Sequence, residues 1–215
     1  MKKSFRFITF FAFVLLFLIP LNPVFAMGKP PSSPSLIPNS VCIDPGHGGS
    51  DIGASNNEIL EKDLNLDVAD RLAALLTSNR YVVYQTRTDD STLSNNYRYT
   101  FCNSNGASIL VSIHHNGSTN SSIDYSLGLY MKKVDVDLAR SIVNAVSSGL
   151  GTDNHGISRY ASGVLLKAKM PAAMSEGFFL TNTEEYNLLH STTIDRRQEE
   201  AQALYNGIVN YFSTH

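Results

Sequence analysis

Cysteine is scarce in this chain: there are two, Cys42 and Cys102, and neither belongs to a C-x-x-C pair. That removes the paired-thiolate spacing of a structural zinc site. H-E-x-x-H is absent too, which argues against the common zinc metalloprotease helix. Cationic residues are not in excess, with 17 Lys and Arg against 19 Asp and Glu, and no basic patch suggests a nucleic-acid partner. Nothing recurs at a period of about 20–50 residues, and no attached binding module is legible. Long apolar runs are also missing. The one extended run, residues 7–19, ends at Pro20 and is shorter than the ~20 residues needed to span a bilayer.

That run has another reading. It follows a basic start, Met1-Lys2-Lys3-Ser4-Phe5-Arg6, and precedes Val24-Phe25-Ala26, which offers small residues at the two positions a signal peptidase reads. Residues 1–26 are therefore expected to be a secretory signal peptide cleaved after Ala26, with no stable membrane insertion afterwards. Cleavage removes Lys2, Lys3 and Arg6 and no acid. It leaves 14 basic against 19 acidic residues and a net charge of about −5 with histidine neutral. The expected destination is the periplasm, the cell wall or the extracellular space. Residues 27–39 hold Pro30, Pro31, Pro34 and Pro38 among serines and read as a short, stiff linker. Residues 40–215, in a chain that is 43% hydrophobic, suit one domain with a full-sized core.

Within it, strands are expected at 41–44, 81–86, 107–114, 127–132, 164–168 and 172–178. In residues 61–78, Leu64, Val68, Leu72 and Leu75 recur at helical spacing. Further helices are expected at 94–105, 135–150 and 195–212. The alternation predicts a single α/β domain with a mainly parallel sheet and helices on both faces. Sites in such folds sit beyond the carboxyl ends of the strands.

Applied here, that rule picks out three residues. His47 follows the first strand in Asp44-Pro-Gly-His47, His114 ends the central apolar strand, and Glu176 closes the last one. Glu61 opens the first helix and can join them. Two imidazoles and one carboxylate are the usual protein ligands of a catalytic zinc. A further carboxylate can move the proton that amide hydrolysis requires. Each residue alone has an ordinary alternative: a turn histidine at 47, a buried strand histidine at 114, an ion-paired acid at 176. His115 also competes with His114, since neighbours on a strand point to opposite faces and only one can reach a shared metal.

These residues stand in motifs that resemble a known family. Ile43-Asp-Pro-Gly-His-Gly-Gly49, Gly53-Ala54, Glu61-Lys-Asp-Leu-Asn-Leu66, Thr86-Arg87, Arg98 with Cys102-Asn103, Val111-Ser-Ile-His-His-Asn116, and Pro171-Ala-Ala-Met-Ser-Glu-Gly-Phe178 with Asn182 occur in order. The set is similar to that of the zinc-dependent N-acetylmuramoyl-L-alanine amidases of the type 3 (LytC-like) group. The resemblance implies one zinc ion (Zn2+) per chain, held by His47, Glu61 and His114 rather than His115, with Glu176 catalytic. It also implies peptidoglycan as substrate, cut at the amide between N-acetylmuramic acid and L-alanine. A zinc carboxypeptidase-like peptidase acting on the stem peptide is the alternative. The stretch between His114 and Leu127 is too short for the helical insertion that covers the zinc in some members, so an open site is expected. Cys42 reads as a core strand position, and Cys102 falls where the family often has alanine. Both are expected to be free, buried thiols.

Overall fold

The computed structural model describes residues 36–215, in which strand and helix alternate along most of the chain. Strand β1 (Ile37–Pro45) leads to the short hairpin β2 (Ser55–Asn56) and β3 (Ile59–Leu60), helix α1 (Glu61–Ser78), β4 (Val82–Gln85), α2 (Asn95–Ser104) and β5 (Ala107–Asn116). Then come β6 (Ser126–Tyr130), a 3-10 turn (Lys133–Asp135), α3 (Val136–Leu150), β7 (Asn154–Arg159), α4 (Gly163–Lys167), β8 (Ala172–Phe179), α5 (Thr183–Leu189) and α6 (Arg196–Thr214). The proposed signal segment and residues 27–35 of the proposed linker lie outside the described residues. β1 begins at Ile37, ahead of the expected start of the domain.

The main sheet has six strands in the order β4-β1-β5-β8-β6-β7. β4, β1, β5 and β8 are mutually parallel, and β6 runs antiparallel to β8. The expected α/β architecture with a mainly parallel sheet is the one observed. Strand alternation sorts the core into two layers. Val41, Ile43, Val111 and Ile113 pack under α1, α3 and α6, against Leu72, Ile142 and Leu204. Cys42, Leu110 and Met174 face the other way, against Cys102 of α2 and Val164 and Leu165 of α4. Each fully buried Leu or Ile contributes about 1.5–3 kcal/mol.

Two expectations are corrected, and two elements appear that the sequence did not mark. Residues expected as a strand at 164–168 form helix α4, because the Ser162 side chain caps the turn by accepting from the Val164 amide at 3.2 Å. β7 and α5 carry no strong pattern: β7 is a polar edge strand, Asn-His-Gly-Ile-Ser-Arg, and α5 is only seven residues long. The other correction concerns the cysteines, expected to be free, which form a disulfide with Cα atoms 5.7 Å apart. Both are fully buried, as a core reading requires. Cys42 points away from α1 onto the face that α2 covers, so the two packing positions meet each other.

Candidate metal centre

β1, β5 and β8 are adjacent, so their carboxyl ends open on one cleft of about 490 Å³. His47, Glu61, His114 and Glu176 all line it. His114 and Glu176 are register partners across β5 and β8, which projects both side chains to the same side of the sheet. His47 arrives by a sharp turn with left-handed backbone (φ 60°). Buried arginines brace that turn. Arg98 donates to the carbonyls of Pro45 and His47, each at 2.7 Å, and Arg87 donates to those of Pro45 at 3.1 Å and Gly46 at 2.9 Å. Gly46 has to be glycine, since a Cβ there would come within 2.3 Å of the His114 ring.

Beneath the turn, Asp44 accepts from Thr86 Oγ1 at 2.7 Å and from Arg98 Nη1 and Ser112 Oγ at 2.8 Å. Burial pushes its carboxyl up, but the Arg98 charge and these donors overcome that and hold it below the ordinary carboxylate range.

Glu61 sits at the first position of α1, where the helix dipole favours an acid. No side chain caps this helix. Its first amides bond instead to loop carbonyls, Glu61 to Ala54 at 2.9 Å and Lys62 to Ile52 at 3.2 Å, which fixes the Glu61 backbone against the His47 loop. Glu61 Oε2 accepts from the Ala54 amide at 2.7 Å. Oε1 lies 3.1 Å from His47 Nε2 and 3.0 Å from His114 Nδ1. Burial alone would raise this carboxyl; the two histidines and the Ala54 amide reverse the effect and depress it strongly. For His47, burial works against protonation, but Glu61 and Asp51 raise its pKa; Asp51 Oδ1 is 2.9 Å from His47 Nδ1.

One donor atom each from His47, Glu61 and His114 lie within 4.8 Å of one another, a set able to hold a metal ion. His115 goes elsewhere. Its ring is buried on the opposite face of β5, with Nδ1 2.7 Å from Asn65 Oδ1, Nε2 2.8 Å from Glu200 Oε2, and its centroid 4.4 Å from that of Phe178. Glu176 stands beside the three donors without being one of them. Burial pushes its carboxyl above the usual range, with the charge of His114 pulling the other way.

Sequence reasoning assigned no role to Asp51, Asn65 or Glu200. Asn65 carried a signal, as a polar residue one turn after Glu61 on the apolar side of α1. Glu200 carried a similar one, adjoining Ala201 and Leu204 on the inner face of α6.

The fold and this cluster define a class: an α/β domain with a His-Glu-His group and a further acid near the carboxyl edge of the sheet. The family model described as N-acetylmuramoyl-L-alanine amidase matches residues 41–210. The chain belongs to this family. It is 32% identical over 181 residues to N-acetylmuramoyl-L-alanine amidase LytC of Bacillus subtilis, covering 82% of this chain and 36% of that protein. The chain thus spans about a third of that relative's length. Among solved structures, the catalytic domain of the amidase CwlV from Bacillus (Paenibacillus) polymyxa var. colistinus superposes with a TM-score of 0.76 at 28% identity, covering 82% of this chain and 99% of that one. An N-acetylmuramoyl-L-alanine amidase from Clostridium difficile 630 also superposes at 0.76, with 31% identity, 82% of this chain and 98% of that one.

Proposed function

We propose that this chain is an exported zinc amidase. In this reading it hydrolyses the bond between the lactyl carbonyl of N-acetylmuramic acid and L-alanine in peptidoglycan. His47, Glu61 and His114 hold one zinc ion, and Glu176 is the catalytic acid–base. The observation that carries this is the convergence of two imidazole nitrogens and one carboxylate oxygen within 4.8 Å, on a cleft that Glu176 also lines. Donors at about 2.0–2.2 Å around a tetrahedral zinc lie about 3.3–3.6 Å apart. Both histidines stand near that spacing from Glu61 Oε1, at 3.1 and 3.0 Å, and the three donors lie within 4.8 Å of one another, a spread that small side-chain adjustments close around the ion.

Bound zinc supplies positive charge that polarises the scissile carbonyl and brings the pKa of water to about 7. Glu176 takes a proton from the attacking water as its oxygen bonds to the lactyl carbon. It delivers that proton to the alanine nitrogen as the carbon–nitrogen bond breaks. A carboxyl held above the usual range by burial suits both halves of that exchange. Asp51 Oδ1, 2.9 Å from His47 Nδ1, places a negative charge behind the ring, where carboxylates commonly stand beside metal-bound histidines. Residues 117–125 contain no helix, which supports an open cleft that a long glycan strand can enter. Residues 1–26 serve as the export signal in this reading, and residues 27–39 as a linker.

Digestion of purified peptidoglycan, with and without chelator, tests the proposal. Mass spectrometry should find whole stem peptides with a free alanine amine, lost with chelator and restored by zinc. Release of single amino acids would instead identify a stem-peptide carboxypeptidase, and no product at all would reject both.

A further inference from the structure

The layer beneath the cleft holds a buried histidine–carboxylate pair that the chemistry above does not use. The side chains of His115 and Glu200 are both 0% exposed, and their facing atoms are 2.8 Å apart. Burying such polar groups is costly unless geometry and hydrogen bonds replace the lost hydration. Recovery here is incomplete, since among the described residues no donor reaches Glu200 Oε1. The chain even makes room for this carboxylate: a Cβ on Gly177, the residue after Glu176, would come within 2.3 Å of it.

The pair connects upward. His115 Nδ1 lies 2.7 Å from Asn65 Oδ1. The amide nitrogen of Asn65 points the other way and donates to Gly46 O at 3.3 Å and to Glu61 Oε1 at 3.4 Å. With its nitrogen committed to two acceptors, Asn65 offers His115 only an oxygen, so His115 Nδ1 carries a hydrogen. Glu200 on Nε2 fixes the ring so that this hydrogen meets Asn65. The His115 amide adds a 3.1 Å bond to the same Glu61 oxygen. A line of polar groups thus runs from α6 through β5 and α1 to the carboxylate proposed as a metal ligand.

We propose that Glu200, His115 and Asn65 are positioning residues for the metal centre, holding Glu61 and the Gly46 turn in the arrangement that binds zinc. This rests on the zinc reading above. Outer-shell partners of metal ligands typically contribute 10–100-fold to metal affinity or activity.

The test measures zinc affinity by competition with a chromophoric chelator, alongside circular dichroism, for the wild type, Asn65→Ala, Glu200→Ala, the double variant and Glu200→Gln. Each alanine variant should bind zinc about 10–100-fold more weakly. The double variant should be no weaker than the worse single, because both cut one chain. Glu200→Gln should stay within about threefold of wild type, since its amide can donate to His115 Nε2 and leave Nδ1–H on Asn65. Alanine variants that melt earlier yet bind zinc as tightly as wild type would reduce these residues to core packing and overturn the proposal. So would additive losses, or a glutamine variant as weak as the alanine one. Should Glu200→Ala not fold, Asn65→Ala and Glu200→Gln carry the same decision. Wild-type protein that binds no zinc, with no loss on His47→Ala, would instead sink the underlying metal reading.

Discussion

Breaking the Cys42–Cys102 bond gives a quantitative test of how the site is braced. The bond joins β1 to α2 across a sequence separation of 60 residues, and the loop it closes contains His47 and Glu61. In the chain-entropy account, a cross-link over this length removes about 14 cal/mol/K from the unfolded chain, or about 4 kcal/mol at 25 °C. For a domain of this size 1 kcal/mol moves Tm by about 2–4 °C, so reduction should lower Tm by about 8–16 °C. Little of the loss should come from packing, because both sulfurs sit among apolar side chains and free thiols still pack there as small hydrophobes. Position matters as well as entropy. Arg98, one helical turn before Cys102, donates to the Pro45 and His47 carbonyls, so the bond also fixes the helix that holds the His47 turn.

The assay compares thermal melts of oxidised and fully reduced protein at equal zinc content. Alkylation in denaturant, followed by mass spectrometry, reports the thiol state: no label before reduction and two after it. A Tm change of less than about 3 °C would refute the entropic reasoning. Two labelled cysteines without reductant would refute the bond itself.

Three further outcomes are expected. His114→Ala should lose stoichiometric zinc, whereas His115→Ala should still take up one zinc at saturating metal, though more weakly; metal analysis giving the reverse order would exchange their roles. Glu176→Gln should keep zinc and fold but turn over peptidoglycan about 10²–10⁴-fold more slowly, and a variant near wild-type rate removes Glu176 from the mechanism. Asp44→Asn should destabilise the domain by about 3–5 kcal/mol at pH 7, because it leaves Arg98 buried without its countercharge. The folded-state pKa of Asp44 is depressed, so its stabilisation is present above about pH 4 and fades as pH falls through the folded value. Urea titrations from pH 7 downward should show the two proteins converging at acid pH, and a gap that stays constant would count against the Asp44–Arg98 account.

Much of this architecture was readable before any coordinates, for identifiable reasons. α1 runs over the residues that its apolar spacing marked, 61–78, and the central strand β5 follows an almost unbroken apolar run. The rule that sites gather beyond parallel strand ends selected His47, His114 and Glu176 because each follows a run with strong strand character or stands near its carboxyl end, although β5 and β8 run two and three residues past His114 and Glu176 instead of ending there. The misses have the opposite cause. α4 and β7 are short, and five or six residues are too few for periodicity to outvote local capping or an edge position. The disulfide was missed because alternation sets Cys42 opposite Val41 and Ile43 but does not say which helix lies on that side.

Alternation also explains why the polar layer under the cleft went unread. It separates His114 from His115 and sends one into the cleft and the other toward α6, yet a discarded candidate looks idle until its partners are known. Those partners stand 50 residues away at Asn65 and 85 away at Glu200, on elements whose docking only the fold determines. Once α6 packs on α1, the neighbouring histidines stop being rivals for one role. His114 faces the cluster from the cleft, while His115 reaches the same Glu61 oxygen from below through its backbone amide, and reaches Glu61 again through Asn65. Two adjacent residues can therefore act on one carboxylate because they point to opposite sides of the strand.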